Sequence, residues 1–200
     1  MIAAADAVLD FWFGAPGTAA EIAARQSALW FGKSAANDAR VVERFAETLV
    51  AAGKGELDSW NDSPRGRLAL IVVLDQFPHH IHRNHGQSFA YDAQSLALAL
   101  DMIARGEDAH LAPIERVFAY LPLEHAESMA MQDLSVAQYE KLAAEASPAE
   151  QSLFEGFLDY ARKHREVVAR FGRFPHRNEL LGRPSTPEEI GFLQQPGSRF

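Results

Sequence analysis

Apolar residues recur at intervals of three or four along most of the sequence, which is the spacing of one face of an α-helix. Between residues 37 and 52 this stripe includes Val41, Phe45 and Leu49, and a similar stripe runs between residues 88 and 104. No segment alternates between apolar and polar residues with the period of two that is typical of a half-buried strand. The pattern predicts an all-α fold, an antiparallel array of about eight or nine helices in one domain spanning residues 1–200.

Capping and breaking residues predict where these helices end. Thr18 and Glu21 have the spacing of a capping box at the start of the second helix. Pro78 disfavours helical geometry at the preceding residue, so the fourth helix is expected to end near Phe77, and Pro122 is expected to interrupt a later one. The predicted helices cover residues 2–13, 18–31, 37–52, 64–77, 88–104, 114–120, 123–146, 148–171 and 187–193.

The most apolar stretch, residues 68–74, runs directly into polar residues. Asp75 shares a helical face with Ile71, so we expect its carboxylate to face the core, where it needs a cation or several hydrogen-bond donors. An arginine is the expected partner. The four histidines within residues 79–85 follow Pro78, and we expect them to form a mostly exposed loop.

Other titratable side chains also occupy positions where the helical pattern calls for apolar ones. His164 lies midway between two phenylalanines, each seven residues away, and His125 lies on an apolar stripe beside Glu124. One interpretation is that each is a core group with its own hydrogen-bond partner. The other is that they meet with Asp75 in a site, since converging perturbed groups mark functional sites. On that interpretation the candidate catalytic residues are Asp75, Glu124, His125 and His164.

Charge is unevenly distributed along the chain. The whole sequence has a net charge of −8, yet the segment from Arg162 to Arg183 has seven Lys or Arg residues and two acids. Arginine pairs bidentately with carboxylate or phosphate, so an anion-binding site is one interpretation. The alternatives are a solvated basic face, or arginines that grip the chain's own carboxylates. The candidate ligand-binding residues are Gln76, Arg83, Arg173, His176 and Arg177.

Composition excludes several classes of function. The negative charge argues against general nucleic-acid affinity, and the absence of cysteine excludes thiolate chemistry and fits a reducing compartment. The N-terminal segment has no basic region before its apolar part, and no apolar run approaches membrane-spanning length, so we expect a cytoplasmic protein without membrane attachment. The sequence has no HExxH motif, phosphate loop or Rossmann fingerprint, so we predict no metal site and no cofactor.

Four longer motifs, 74–78, 122–125, 170–178 and 181–189, strongly resemble a bacterial family catalogued as domain of unknown function 924. The resemblance extends over nearly the whole chain. It implies an all-helical fold similar to the tetratricopeptide-like superfamily, and it implies no activity. One departure is His79, where the resemblance leads us to expect arginine.

Two functions from different classes follow. The first is a binding or interaction module, with the segment from Arg162 to Arg183 receiving an anionic small molecule or an acidic peptide. The second is a small-molecule enzyme that uses acid–base chemistry between Asp75 or Glu124 and His125 or His164 on an anionic substrate. A homo-oligomer is left open by the sequence.

Overall fold

The computed structural model describes residues 1–198. Within that range the secondary structure is helical and contains no strand, which confirms the all-α prediction. The resemblance to tetratricopeptide-like arrays and the single-domain assignment stay predictions. The α-helices are α1 (Ala5–Phe13), α2 (Ala19–Trp30), α3 (Ala35–Gly53), α4 (Pro64–Ile71), α5 (Phe77–Ile81), α6 (Asp92–Ala104), α7 (Pro113–Glu124), α8 (Met129–Glu145), α9 (Gln151–Phe171) and α10 (Pro187–Leu193).

Local sequence accounts for several of these boundaries. Thr18 caps α2 by accepting a hydrogen bond from the backbone of Glu21, whose side chain accepts one from the backbone of Thr18, so the predicted capping box is present. Helix α9 ends at Gly172, which adopts the left-handed conformation that glycine tolerates best. Short 3-10 helices lie between the α-helices, at Asp58–Asp62, Gly86–Phe89, Glu107–His110 and Pro175–Arg177.

Pro78 does not end the fourth helix, so that prediction is wrong. A π-turn, Val72–Gln76, joins α4 to α5, and the backbone N–H of Phe77 donates to the carbonyl of Val72, five residues back. Pro78 suits the helix because its ring fixes a helical φ. The wider π-turn also displaces the carbonyl that the ring would meet in a regular α-helix. The chain therefore remains helical from residue 64 to residue 81.

Pro122 also lies inside a helix, α7, rather than interrupting one. The backbone N–H of His125 donates to the carbonyl of Leu121 at 2.9 Å, so the last turn closes around the proline. The break comes at residues 125–128. There the side-chain amide of Gln132 on α8 donates to the carbonyls of Glu124 at 2.6 Å and Ala126 at 2.8 Å, which satisfies carbonyls that a helix end leaves unpaired.

The core is built around the aromatic residues of α1. The Trp12 side chain is completely buried, and its ring lies edge-on to the rings of Phe77 at 5.7 Å and Phe118 at 5.5 Å. The ring of Phe77 in turn stacks on Phe45 at 4.7 Å. Helices α1, α3, α5 and α7 are thereby fixed around one point. Within residues 1–198, no helix is both long and apolar enough to cross a membrane.

Candidate functional site

Asp75 lies in the π-turn and is completely buried. One carboxylate oxygen bonds Nδ1 of His125 at 3.0 Å and the hydroxyl of Ser95 at 3.4 Å, and the other accepts from the side-chain amide of Gln76 at 2.6 Å. Burial raises the pKa of Asp75, but the charge and hydrogen bond of His125 together with the nearby His79 outweigh it and lower the pKa. Asp75 is thus a carboxylate in the protein interior, and its cationic partner is His125 rather than the expected arginine.

His125 follows directly after α7, at the break that Gln132 stabilises. Its side chain is 17% exposed, so solvent reaches one edge of the ring while Nδ1 is bonded to Asp75. Burial lowers the pKa of His125, but the charge of Asp75 and its hydrogen bond prevail and raise the pKa above its ordinary value. An imidazole held in one orientation by a carboxylate, with one edge partly exposed, is suited to proton transfer.

Two further imidazoles flank His125. The ring of His79 lies edge-on at 5.7 Å and the ring of His164 lies at 6.4 Å, measured between ring centroids. Burial and the charge of His125 lower the pKa of His79 to about 3, and burial also lowers the pKa of His164 to about 3. Both are neutral at pH 7, so His125 is the cationic member of the three.

Glu124 and His164 form a second buried pair. Nδ1 of His164 lies 3.0 Å from a carboxyl oxygen of Glu124 and 2.9 Å from the backbone carbonyl of Tyr160. A carbonyl only accepts hydrogen bonds, so Nδ1 carries the proton that both oxygens share. Burial raises the pKa of Glu124 to about 8, which leaves it mostly protonated at pH 7. This pair is therefore neutral, unlike the charged pair of Asp75 and His125.

Arg177 lies close enough to the three imidazoles for its charge to lower the pKa of each of them. Its Nη1 donates to Asp92 at 2.9 Å, and its guanidinium lies over the rings of Phe89 at 4.5 Å and Phe174 at 4.8 Å. The Arg177 side chain is 8% exposed, and its Nε–H has no acceptor within residues 1–198. Burial raises the pKa of Asp92 to about 6 against the opposing charge of Arg177.

The predicted site residues are thus only partly brought together. Gln76 contacts Asp75, and the ring of His176 lies 5.7 Å from that of Phe174, close to Arg177. Two predicted anion-binding residues lie elsewhere: Arg83 bonds both oxygens of Asp38, and Arg173 bonds both oxygens of Glu189. For these two arginines the alternative interpretation, pairing with the chain's own carboxylates, describes what the structure contains.

The expected exposed histidine loop is wrong for its first two members. His79 lies among the imidazoles, and His80 is buried with its Nδ1 2.8 Å from Asp38. His85 is exposed, as expected, and His82 is half-buried. The error follows from Pro78, because a helix that continues past it brings His79, four residues after Asp75, one turn above that carboxylate.

Asp92 and Phe89 were not identified from the sequence. Asp92 begins α6, where an acid is ordinary, and its pairing with Arg177 joins residues 85 positions apart. The side-chain contacts that make it part of the site arise only from the fold. Phe89 falls within the predicted helix at residues 88–104, but in the structure it lies in the 3-10 helix before α6, against Arg177.

The buried cluster of Asp75, His79, His125, His164 and Arg177 is called the imidazole site from here on. In the part of the chain that the structure describes, no three His, Asp or Glu side chains are grouped so as to hold a metal ion. Two surface depressions, of about 370 and 40 Å³, are lined by residues of other regions. The first of them lies between the N-terminus and α3.

Comparison with known proteins agrees with the fold and supplies no activity. A family described as "Bacterial protein of unknown function (DUF924)" matches residues 8–197. The solved structure of a protein of unknown function from Agrobacterium tumefaciens is similar, with a TM-score of 0.80 and 35% sequence identity. The similarity covers 95% of this chain and 96% of that one. Among curated proteins, none matches.

Proposed function

The chain belongs to this bacterial family of unknown function, and on that premise we propose that it is a small-molecule enzyme whose acid–base pair is Asp75 and His125. The single observation that carries the proposal is the 3.0 Å bond from Nδ1 of His125 to a completely buried Asp75. A carboxylate in this position fixes the tautomer and the orientation of the imidazole and stabilises its protonated form.

His125 is the group that would exchange a proton with the substrate. Its Nδ1 is committed to Asp75, so Nε2 is the nitrogen that remains for transfer. The ring is partly exposed, whereas Asp75 is out of reach of solvent. Asp75 raises the pKa of His125 and so favours its protonated form, which can act as a general acid and, after giving up its proton, as a general base.

Glu124 and His164 have a supporting part in this proposal. They lie beside His125 as a buried neutral pair, so they add no competing charge. Glu124 is protonated near pH 7 and is a second proton store one residue along the chain from His125. Asp75 and His125 are therefore proposed as the acting pair, and Glu124 and His164 as groups that set their surroundings.

Binding of a small anion without catalysis is the second candidate function. It is favoured by Arg177, which is buried between two phenyl rings and close to the cationic His125. An acidic peptide is less well supported, because the polar residues of the imidazole site face inward and a peptide groove needs them exposed.

The test is proton exchange between solvent and small molecules. The purified chain is incubated in D₂O with a panel of small keto, hydroxy and unsaturated acids, and proton NMR follows loss or change of their signals. We expect a time-dependent change that falls about a hundredfold or more in His125→Gln, since positioned acid–base groups contribute roughly 10²–10⁴ in rate. His110→Gln is the matched control, because His110 is exposed and lies outside the site. An equal rate in the His125 variant rules out the assigned pair, and a parent protein that alters no compound leaves binding as the better proposal.

A further inference from the structure

Arg177 differs from three other arginines of this chain in the hydrogen bonding of its Nε–H group. On Arg83 and Arg173, Nε and Nη2 together hold the two oxygens of one carboxylate, belonging to Asp38 and Glu189. On Arg183, Nε donates to a side-chain oxygen at 3.0 Å. Arg177 uses Nη1 for Asp92, and its Nε–H is buried without an acceptor among the described residues.

A buried donor without an acceptor is costly, and native proteins seldom leave one except where a water, an ion or a ligand completes it. The guanidinium carbon lies 4.5 Å from the centroid of the Phe89 ring and 4.8 Å from that of Phe174, so these rings cover part of the guanidinium. Its unpaired Nε edge is the position where a ligand would complete the hydrogen bonding. On Arg83 and Arg173 the same edge binds a carboxylate.

We propose that the Nε edge of Arg177 binds the carboxylate of a small carboxylic acid, which places the rest of that molecule towards His125. This inference rests on the proposed function and specifies its substrate class. A carboxylate is planar and presents two oxygens in the geometry of the guanidinium edge. Arg177 and His125 are close enough that the charge of one lowers the pKa of the other, so an anion between two cations is stabilised.

The surroundings limit what the acid can be. The phenyl rings of Phe89 and Phe174 make apolar walls beside the arginine, which suits a short hydrocarbon backbone next to the carboxylate. The Arg177 side chain is 8% exposed and the His125 side chain 17% exposed, so access is narrow for a bulky acid. The inference is therefore a compact acid of a few carbon atoms, with its reacting atom within reach of Nε2 of His125.

The experiment observes the arginine Nε–H directly. In ¹H–¹⁵N spectra of the parent, the Arg177 Nε–H resonance is assigned by its disappearance in Arg177→Lys, which retains a cation for Asp92 but lacks that N–H. Acetate, phosphate and chloride are then titrated at constant ionic strength. We expect acetate to shift this resonance saturably in the parent. In Arg177→Lys, which lacks that N–H, binding is followed on the His125 ring signals and should be at least about tenfold weaker, because a charge-assisted hydrogen bond is lost. Arg173→Lys is the matched control and should bind acetate within about twofold of the parent.

The acetate titration tests the carboxylate site at Arg177 independently of the proposed catalytic activity. No saturable shift with acetate, or an equal shift with chloride, overturns the carboxylate site, and a response to phosphate alone does the same. If Arg177→Lys does not fold, the Nε–H resonance is assigned in the parent by its proximity to the ring protons of Phe89 and Phe174, and its acetate titration still decides. His125→Gln separates the two proposals: acetate binding that persists in this variant, beside a parent that exchanges no protons, supports the binding site and overturns the enzyme. Proton exchange in a parent protein that does not bind acetate supports the enzyme and overturns the carboxylate site.

Discussion

The side chains of Asp75 and His125 form a hydrogen bond of 3.0 Å between a completely buried carboxylate and a ring that solvent reaches at one edge. They come from two helical segments 50 residues apart, the π-turn and the end of α7. The bond thus joins the two parts of the fold on which the imidazole site depends. The charge states of the two side chains can be measured by titration.

Asp75→Asn should lower the pKa of His125 and reduce stability in a defined pH range. The raised pKa of His125 means that its protonated form stabilises the fold below pH about 6.5, and this stabilisation is lost as the pH rises through the pKa of the folded protein. The lowered pKa of Asp75 means that its carboxylate stabilises the fold above pH about 3.9. Asp75→Asn should therefore lower the free energy of unfolding most between about pH 4 and 6.5, by about 2 kcal/mol. NMR titration of the His125 ring and urea unfolding at pH 5.5 and 8.5 check this. Equal losses at the two pH values would contradict it.

Glu124→Gln should remove part of the pH dependence of stability. The pKa of Glu124 is raised to about 8 in the folded protein, so between its unfolded pKa of about 4.3 and pH 8 the folded state binds more protons and stability falls as the pH rises. Glutamine resembles the protonated acid and does not ionise. Between pH 5 and pH 8, the free energy of unfolding of the variant, measured by urea unfolding, should rise relative to that of the parent by on the order of 1 kcal/mol or more. Glu140→Gln, at an exposed position, is the control and should leave the pH dependence of the free energy of unfolding as it is in the parent.

Gln132→Met should loosen the break that holds His125. The side-chain amide of Gln132 donates to the carbonyls of Glu124 and Ala126 from a completely buried position. Methionine is close in size but cannot donate, so buried carbonyls lose their partner at a cost of about 1–3 kcal/mol. Hydrogen exchange at residues 125–128 should accelerate more than exchange in α9. Uniform acceleration across the whole chain would mean that Gln132 contributes only to global stability.

Phe77→Ala should be among the most destabilising single changes. The Phe77 ring is fully buried, stacks on Phe45 and lies edge-on to Trp12. Removing it leaves a cavity directly after the π-turn, and such substitutions cost about 3–5 kcal/mol. Urea unfolding measures the loss. Phe31→Ala is the control, because Phe31 is 57% exposed, and it should cost less than about 1 kcal/mol.

Patterns of apolar spacing were enough to predict most of the helices and to place Asp75 and His164 facing the core, because both lie on a predicted apolar stripe. His125 was also placed on such a stripe, but it lies just after α7, and Glu124 was on no stripe. Their convergence on one point does not follow from the period. It depends on how α4, α7 and α9 pack, which the sequence pattern leaves open.

The sequence misled where one local rule was overridden by another. Pro78 was expected to end a helix, and this placed His79 and His80 in an exposed loop. The preceding π-turn removes the conflict, and no composition rule identifies a π-turn in advance. The partners of the arginines were missed for a different reason. Asp38, Asp92 and Glu189 are ordinary helix-start acids in the sequence, and only the tertiary fold brings each of them to its arginine.

The π-turn also sets the rotational phase of everything that follows it. It fits five residues into about the rotation that four residues make in an α-helix, so regular α-helical bonding through the same five residues would swing α5 by about 100°. His79 and His80 now make different contacts, one in the imidazole site and the other with Asp38 on α3. A regular α-helix with the same number of residues would turn both away from these partners at once. The positions of both histidines therefore depend on the π-turn.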